Sequence, residues 1–204
     1  MGNNQKMKEA IEELAQRIKD EGRTMMSVEC LANIGEAVFN TRHLKGELAE
    51  VGTWKGGSVK LIHLIGRKPT HGFDTFEGLP KKRDFDHLSL KEGDYPADFE
   101  EVKAYLKPYK AINLYKGVFP DTTEPIKDKK FSFVHLDADF YDGTLQGLKF
   151  FYPRMVKGGI IMLDDYPGTK GIDIAVDEFL NGLPKNNYLV QTFPTKGQGQ
   201  FTNF

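Results

Sequence analysis

The sequence predicts an open α/β sheet, mostly parallel and covered by helices on both faces. Three observations carry that expectation. Apolar runs of strand length alternate along the chain with segments of helical period. One such run, Phe131 to Leu136, is followed by a helix-length segment, Tyr141 to Met155, and by a second apolar run, Ile160 to Leu163. Both runs stop at acids: Asp137 and Asp139 follow the first, Asp164 and Asp165 the second. Strand, helix and strand in this order give a right-handed crossover with parallel strands, so both carboxyl ends lie on one edge of the sheet. Four carboxylates therefore meet where open α/β sheets bind ligands.

Gathering them has a cost. Two carboxylates about 4 Å apart repel by roughly 4 kcal/mol at an effective dielectric near 20, so the cluster calls for a cation, protons or basic partners. Oxygen-only ligation suits a hard divalent ion, magnesium first and manganese or calcium close behind. The plainer alternative is that these acids only cap helices and end strands.

Composition narrows the field. A chain of 204 residues has the length of one domain, residues 1–204. A net charge of −1 gives no reason to expect nucleic acid, and Lys81-Lys82-Arg83 is diluted by Asp84 and Asp86. No transmembrane run or signal peptide is visible, so no membrane partner is expected. Met1-Gly2 begins like a myristoylation signal, but Lys6 stands where that signal requires Ser or Thr. The single cysteine, Cys30, excludes an internal disulfide and fits a reducing, cytoplasmic setting. As a small buried apolar residue it needs no further role.

In chain order, residues 1–45 carry two helices, at 5–20 and 25–40. The first places Met7, Ile11 and Leu14 on a face that packs on its own core or on a second copy of the chain. Glu47 to Val51 reads as a strand, Gly52 to Gly57 as a glycine-rich turn and Ser58 to Ile65 as a helix. Such a turn lets a ligand approach the backbone and aims amide N–H groups at it. Its spacing, E-x-G-x-x-x-G-G, is neither a dinucleotide fingerprint nor a phosphate loop. Glu50 at the strand end disfavours a pyrophosphate and favours a cationic ligand such as the amino group or sulfonium of S-adenosylmethionine. His71 to Phe73 is the second strand, and Asp74 at its end is placed to accept hydrogen bonds from ribose hydroxyls. Thr75 and Phe76 follow in a tight loop that sets the Phe76 ring beside a purine. Residues 81–97 are polar and aperiodic, as expected of a lid or substrate loop, or of a plain surface insertion. Asp98 to Lys107 is a helix and Ile112 to Tyr115 a strand. Ile172 to Leu180 is the last helix. Tyr188 to Phe193 and Gln200 to Phe204 form an antiparallel hairpin at the sheet edge, joined through 194–199.

Six stretches, EVGTWKGGS at 50–58, GFDTFEGLP at 72–80, KGVFPDT at 116–122, HLDADFYDGT at 135–144, YPRMVKGGIIMLDDY at 152–166 and GIDIAVDEFL at 171–180, resemble the macrocin O-methyltransferase family. These are sugar O-methyltransferases with the class I S-adenosylmethionine-dependent, Rossmann-like fold. The resemblance runs from about residue 24 to 193, with HLDADFY and GG…DDY its most specific parts. It implies a three-layer sandwich around a seven-stranded sheet, mostly parallel, with an antiparallel last strand. It implies that Asp137, Asp164 and Asp165 hold magnesium and that Asp139 is the general base. Cofactor contacts fall on Glu50, on Gly52, Thr53, Gly56, Gly57 and Ser58 of the turn, on Asp74, Thr75 and Phe76, on Gly117 and on Asp137. An upstream Thr-Met pair adds Thr24 and Met25. The implied acceptor is a hydroxylated small molecule, a sugar or a sugar-containing natural product. Gly143 stands where the family carries Ser, and the 81–97 loop has no family match, so the resemblance speaks to the chemistry more than to the acceptor. A metal-dependent methyltransferase of catechol-like phenols, a dinucleotide-dependent oxidoreductase and a non-catalytic domain on the same fold are the competing readings.

Overall fold

The computed structural model describes residues 2–87, 89–184, 188–192 and 198–203. The chain runs α1 (Gly2–Asp20), α2 (Val28–Thr41), β1 (Glu47–Val51), α3 (Gly57–Gly66), β2 (Thr70–Asp74), α4 (Phe99–Leu106), β3 (Ile112–Lys116), β4 (Phe131–Leu136), α5 (Tyr141–Phe151), β5 (Met155–Asp164), α6 (Lys170–Asn181), β6 (Tyr188–Thr192) and β7 (Gln198–Asn203). Among the described residues these strands make a seven-stranded sheet in the order β3-β2-β1-β4-β5-β7-β6. The first five are parallel to their neighbours. β7 is antiparallel to both β5 and β6. Strand order reverses between β1 and β4, and the loops at their carboxyl ends part there to leave a crevice.

Alternation along each strand sorts the core onto two faces. Ala49, Val51, Val134, Leu136, Ile161 and Leu163 pack with Leu148 and Phe151 of α5 and Ile172 and Val176 of α6. Leu48, Phe133, Ile160 and Met162 turn the other way, toward Ile18 of α1, Leu31 and Ile34 of α2 and Leu61 of α3. Burial of one such Phe or Leu contributes about 1.5–3 kcal/mol, which holds both helical layers to the sheet. No helix among the described residues is long and apolar enough to cross a membrane.

Several boundaries differ from the sequence expectation. α2 begins at Val28, because the Ser27 side chain accepts from the Cys30 amide and caps the helix there. α5 ends at Phe151, where Pro153 gives a 3₁₀ turn over Tyr152–Arg154. The Gly158-Gly159 pair does not end the helix before a new strand. It lies within β5, where Gly158 at φ +77° absorbs a bulge as the pairing jumps from Phe131↔Met155 to Phe133↔Ile160. The terminal hairpin is present, with β7 opening at Gln198. Its turn at 193–197 and Phe204 lie outside the described residues.

Candidate active site

β1 and β4 come very close at their ends. Gly52 adopts φ +90°, and a Cβ there would stand 1.8 Å from the Asp137 carbonyl oxygen. Only glycine fits. The Asp137 amide donates to the Val51 carbonyl at 2.9 Å and so fixes the start of the acidic turn against the glycine turn. Asp74 ties in the next strand. Its carboxylate accepts from the amides of Trp54 and Phe76, each at 2.7 Å, and its carbonyl accepts from the Gly117 amide at 2.9 Å. One residue, through its side chain and its carbonyl, thus binds together the turns after β1, β2 and β3.

These turns enclose a cavity of about 640 Å³. Most of the expected site residues line it: Thr24, Met25, Gly52, Thr53, Ser58, Asp74, Thr75, Gly117, Asp137, Asp139, Asp164 and Asp165. Four do not. Glu50 is fully buried on the face toward α1–α3, where His135 Nδ1 meets its Oε1 at 3.0 Å; strand alternation places it on the face of Leu48. Phe76 is 4% exposed and packs on Phe99, 4.9 Å between ring centres, as part of a small core under α4. Its backbone, at φ +56°, carries the ring away from the cavity. Gly56 sits behind the turn against Val102 and Leu106. Gly57 is committed to the backbone, donating to the Arg23 carbonyl at 3.0 Å.

The cavity also takes residues that the motifs did not flag. Trp54, Tyr95, Phe119 and Gln146 line it. Trp54 is the sole tryptophan and lies inside the glycine turn, which was a usable signal. Tyr95 and Gln146 carried none. From the 81–97 segment, Lys81 and Tyr95 reach the cavity. Of six non-glycine residues at positive φ among those described, Trp54, Tyr95, Asp139 and Asp165 line this one cavity. Left-handed backbone at such positions costs of order 1–3 kcal/mol and is retained where the surroundings enforce it.

The four acids are electrostatically exposed to one another. Burial raises the Asp137 carboxyl well above the ordinary range, with Asp164 and Asp139 adding to the effect. Asp139 is pushed up to about 7 by burial and by Asp165 and Asp164. Asp164 is pushed up to about 6 by burial, against a downward pull from His135. Asp165 is also raised by burial, with His87 opposing. Among the described residues no lysine or arginine pairs with any of them. Among the described residues the one side-chain donor to them is Gln198, whose Nε2 lies 3.4 Å from Asp164 Oδ1. As placed, these carboxylates do not close on one point: among the described residues no group of three or more His, Cys, Asp or Glu side chains is disposed to hold a metal ion. Their chemistry still fits a hard cation, being all-oxygen and without a basic partner.

The family model for macrocin O-methyltransferases (TylF) matches residues 2–187. The demethyldecarbamoylnovobiocin O-methyltransferase of Streptomyces niveus is 25% identical over 190 residues, which cover 80% of this chain and 72% of that protein. The mycinamicin III 3''-O-methyltransferase of Micromonospora griseorubida is 25% identical over 164 residues, 70% of this chain and 65% of that protein. The structure of the O-methyltransferase NovP superposes with a TM-score of 0.76 at 24% identity, covering 89% of this chain and 82% of that one. The calicheamicin methyltransferase CalS11 superposes with a TM-score of 0.68 at 19% identity, covering 94% and 91%. The architecture is accordingly that of the class I methyltransferases. With the family match running through every element before β6, and with the acidic motifs on the ends of β4 and β5, the chain belongs to the macrocin O-methyltransferase family.

Proposed function

We propose that this O-methyltransferase moves the methyl group of S-adenosylmethionine to a hydroxyl of a sugar or sugar-containing natural product, with Mg²⁺ or Mn²⁺ at the acidic rim. The observation that carries the reading is the set of four carboxylates, unpaired with any described lysine or arginine, facing the same cavity as the glycine turn. The named substrates of the relatives, novobiocin- and mycinamicin-type molecules, support a sugar-bearing acceptor.

In this reading Gly52, Thr53 and Ser58 receive the methionine end of the cofactor, with Thr24 and Met25 over it. Asp74 accepts from the ribose; each of its oxygens already takes one amide and keeps a lone pair. Glu50 acts from behind the wall, raising the charge cost of Asp137 and Asp164. Asp137, Asp164 and Asp165 are the residues that would hold the metal. Bound there, the ion supplies Lewis acidity that makes the acceptor hydroxyl more acidic. Asp139 takes the hydroxyl proton; burial and the neighbouring acids raise its affinity for one in the metal-free chain. The acceptor oxygen forms the new C–O bond as the C–S bond breaks, giving a methyl ether and S-adenosylhomocysteine. From the 81–97 segment, Lys81 and Tyr95 are the residues that cover the acceptor.

The test is transfer of labelled methyl from S-adenosylmethionine to a panel of glycosides and catechols. Label should enter glycosides, be lost with chelator and return with Mg²⁺ or Mn²⁺. Full-rate transfer in chelator would remove the metal, and transfer to catechols alone would remove the sugar.

A further inference from the structure

α5 opens directly after the acidic turn, yet it begins without a cap of its own. Its N-cap residue is Phe140, a buried side chain that cannot accept a hydrogen bond. The missing acceptor comes from the 81–97 segment. Asp86, only 3% exposed, accepts the Tyr141 amide on Oδ1 at 2.8 Å and the Arg83 amide on Oδ2 at 2.8 Å. A third element closes on the same carboxylate. A Cβ on Gly171, in the first turn of α6, would stand 2.0 Å from Asp86 Oδ1, so that glycine is what lets α6 seat against it. Phe85 packs edge-on against the Tyr141 ring, 5.3 Å between centres, and Arg83 pairs with Asp142 at 2.8 Å on the outside. One buried carboxylate therefore joins the 81–87 loop, α5 and α6 two residues from Asp139.

We propose that Asp86 is a positioning residue for methyl transfer. By capping α5 in place of Phe140 it sets the turn Asp137-Ala138-Asp139-Phe140, and with it the direction of the Asp139 carboxylate into the cavity. Asp139 sits at φ +58°, a backbone state that must be held from outside. The cap acts on the residue that holds it in register. This inference rests on Asp139 as the base.

The experiment compares Asp86→Ala, Asp86→Asn and Gly171→Ala with Arg83→Ala as the control for the exposed pair. In folded Asp86→Ala, kcat should fall about 10- to 100-fold, the cost of misplacing a reacting group by a fraction of an ångström to an ångström. The Kd for S-adenosylhomocysteine should stay within about threefold of the unsubstituted chain, because the Asp137 end of the turn is held by its own amide bond to the Val51 carbonyl. The Tyr141 amide should exchange with solvent about 5- to 30-fold faster, as loss of a cap predicts. Asp86→Asn keeps one acceptor and should fall between. Gly171→Ala should reproduce the pattern by displacing the carboxylate, and Arg83→Ala should not. If Asp86→Ala does not fold, Asp86→Asn and Gly171→Ala decide by the same two readouts. Unchanged exchange at Tyr141, or a lowered melting temperature with unaltered kcat, overturns the proposal. Failure of the methyltransferase reading would look different: no turnover in the unsubstituted chain, with the exchange difference intact.

Discussion

Replacing Asp139 by Asn should make the protein more stable and far less active. The change keeps the shape of the side chain, and Asn tolerates the left-handed backbone at φ +58°. A carboxyl that titrates at about 7 instead of 3.8 sets the folded state against its charged form. Fully expressed, that difference amounts to about 4 kcal/mol, and the sharing of charge among the four acids brings the expected gain to about 1–3 kcal/mol. The sign follows from proton binding. Because the folded-state pKa lies above the unfolded one, the folded state holds a proton between about pH 4 and pH 7 that the unfolded chain releases, so stability falls as pH rises through that window. Asp139→Asn removes this contribution. Urea melts with chelator present should therefore match the unsubstituted chain only below about pH 4 and exceed it at pH 8, while turnover drops about 10²- to 10⁴-fold. Equal stability at pH 8 would refute the charge crowding, and turnover within tenfold of the unsubstituted chain would refute the base.

Asp164→Asn and Asp165→Asn should each weaken Mg²⁺ binding by about 10- to 100-fold, read as loss of the melting-temperature rise that Mg²⁺ should give the unsubstituted protein. A Mg²⁺-dependent rise that survives both changes would remove the metal from this rim. Phe76→Ala should cost about 3–5 kcal/mol in denaturant melts, as a core truncation does, while S-adenosylhomocysteine affinity in the folded fraction stays near that of the unsubstituted chain. A large affinity loss with little destabilisation would restore Phe76 to the purine. Gly52→Ala should leave too little folded protein to assay or lower stability by about 3 kcal/mol or more, since both its φ and the Asp137 carbonyl exclude a Cβ.

What the sequence showed of the site followed from where strands stop. Phe131–Leu136 and Ile160–Leu163 are apolar runs bounded by acids, and a parallel crossover leaves such acids little choice of edge. Side-chain direction was harder. Glu50 shares the face of Leu48, so the alternation that buries Leu48 against α1–α3 also buries Glu50 behind the cavity wall. Phe76 stands next to Asp74 and Thr75 in sequence, but the positive φ reverses the chain and sends its ring under α4. Gly158-Gly159 reads as a break by composition; in space the neighbouring strand keeps pairing, and the same flexibility becomes a bulge. Asp86 was invisible for another reason. Inside Lys81-Lys82-Arg83-Asp84-Phe85-Asp86 it looks like one more solvated charge, and only the fold reveals that it faces an uncapped helix.

The place of β7 has a consequence for how the enzyme is made. The strand carrying Asp164 gains its second neighbour from the segment that the ribosome delivers last among the described elements, and Gln198 arrives at Asp164 with it. The acidic rim therefore has both its neighbouring strands only once β7 is seated between β5 and β6. Assembly of the acidic site is thus tied to completion of the whole sheet.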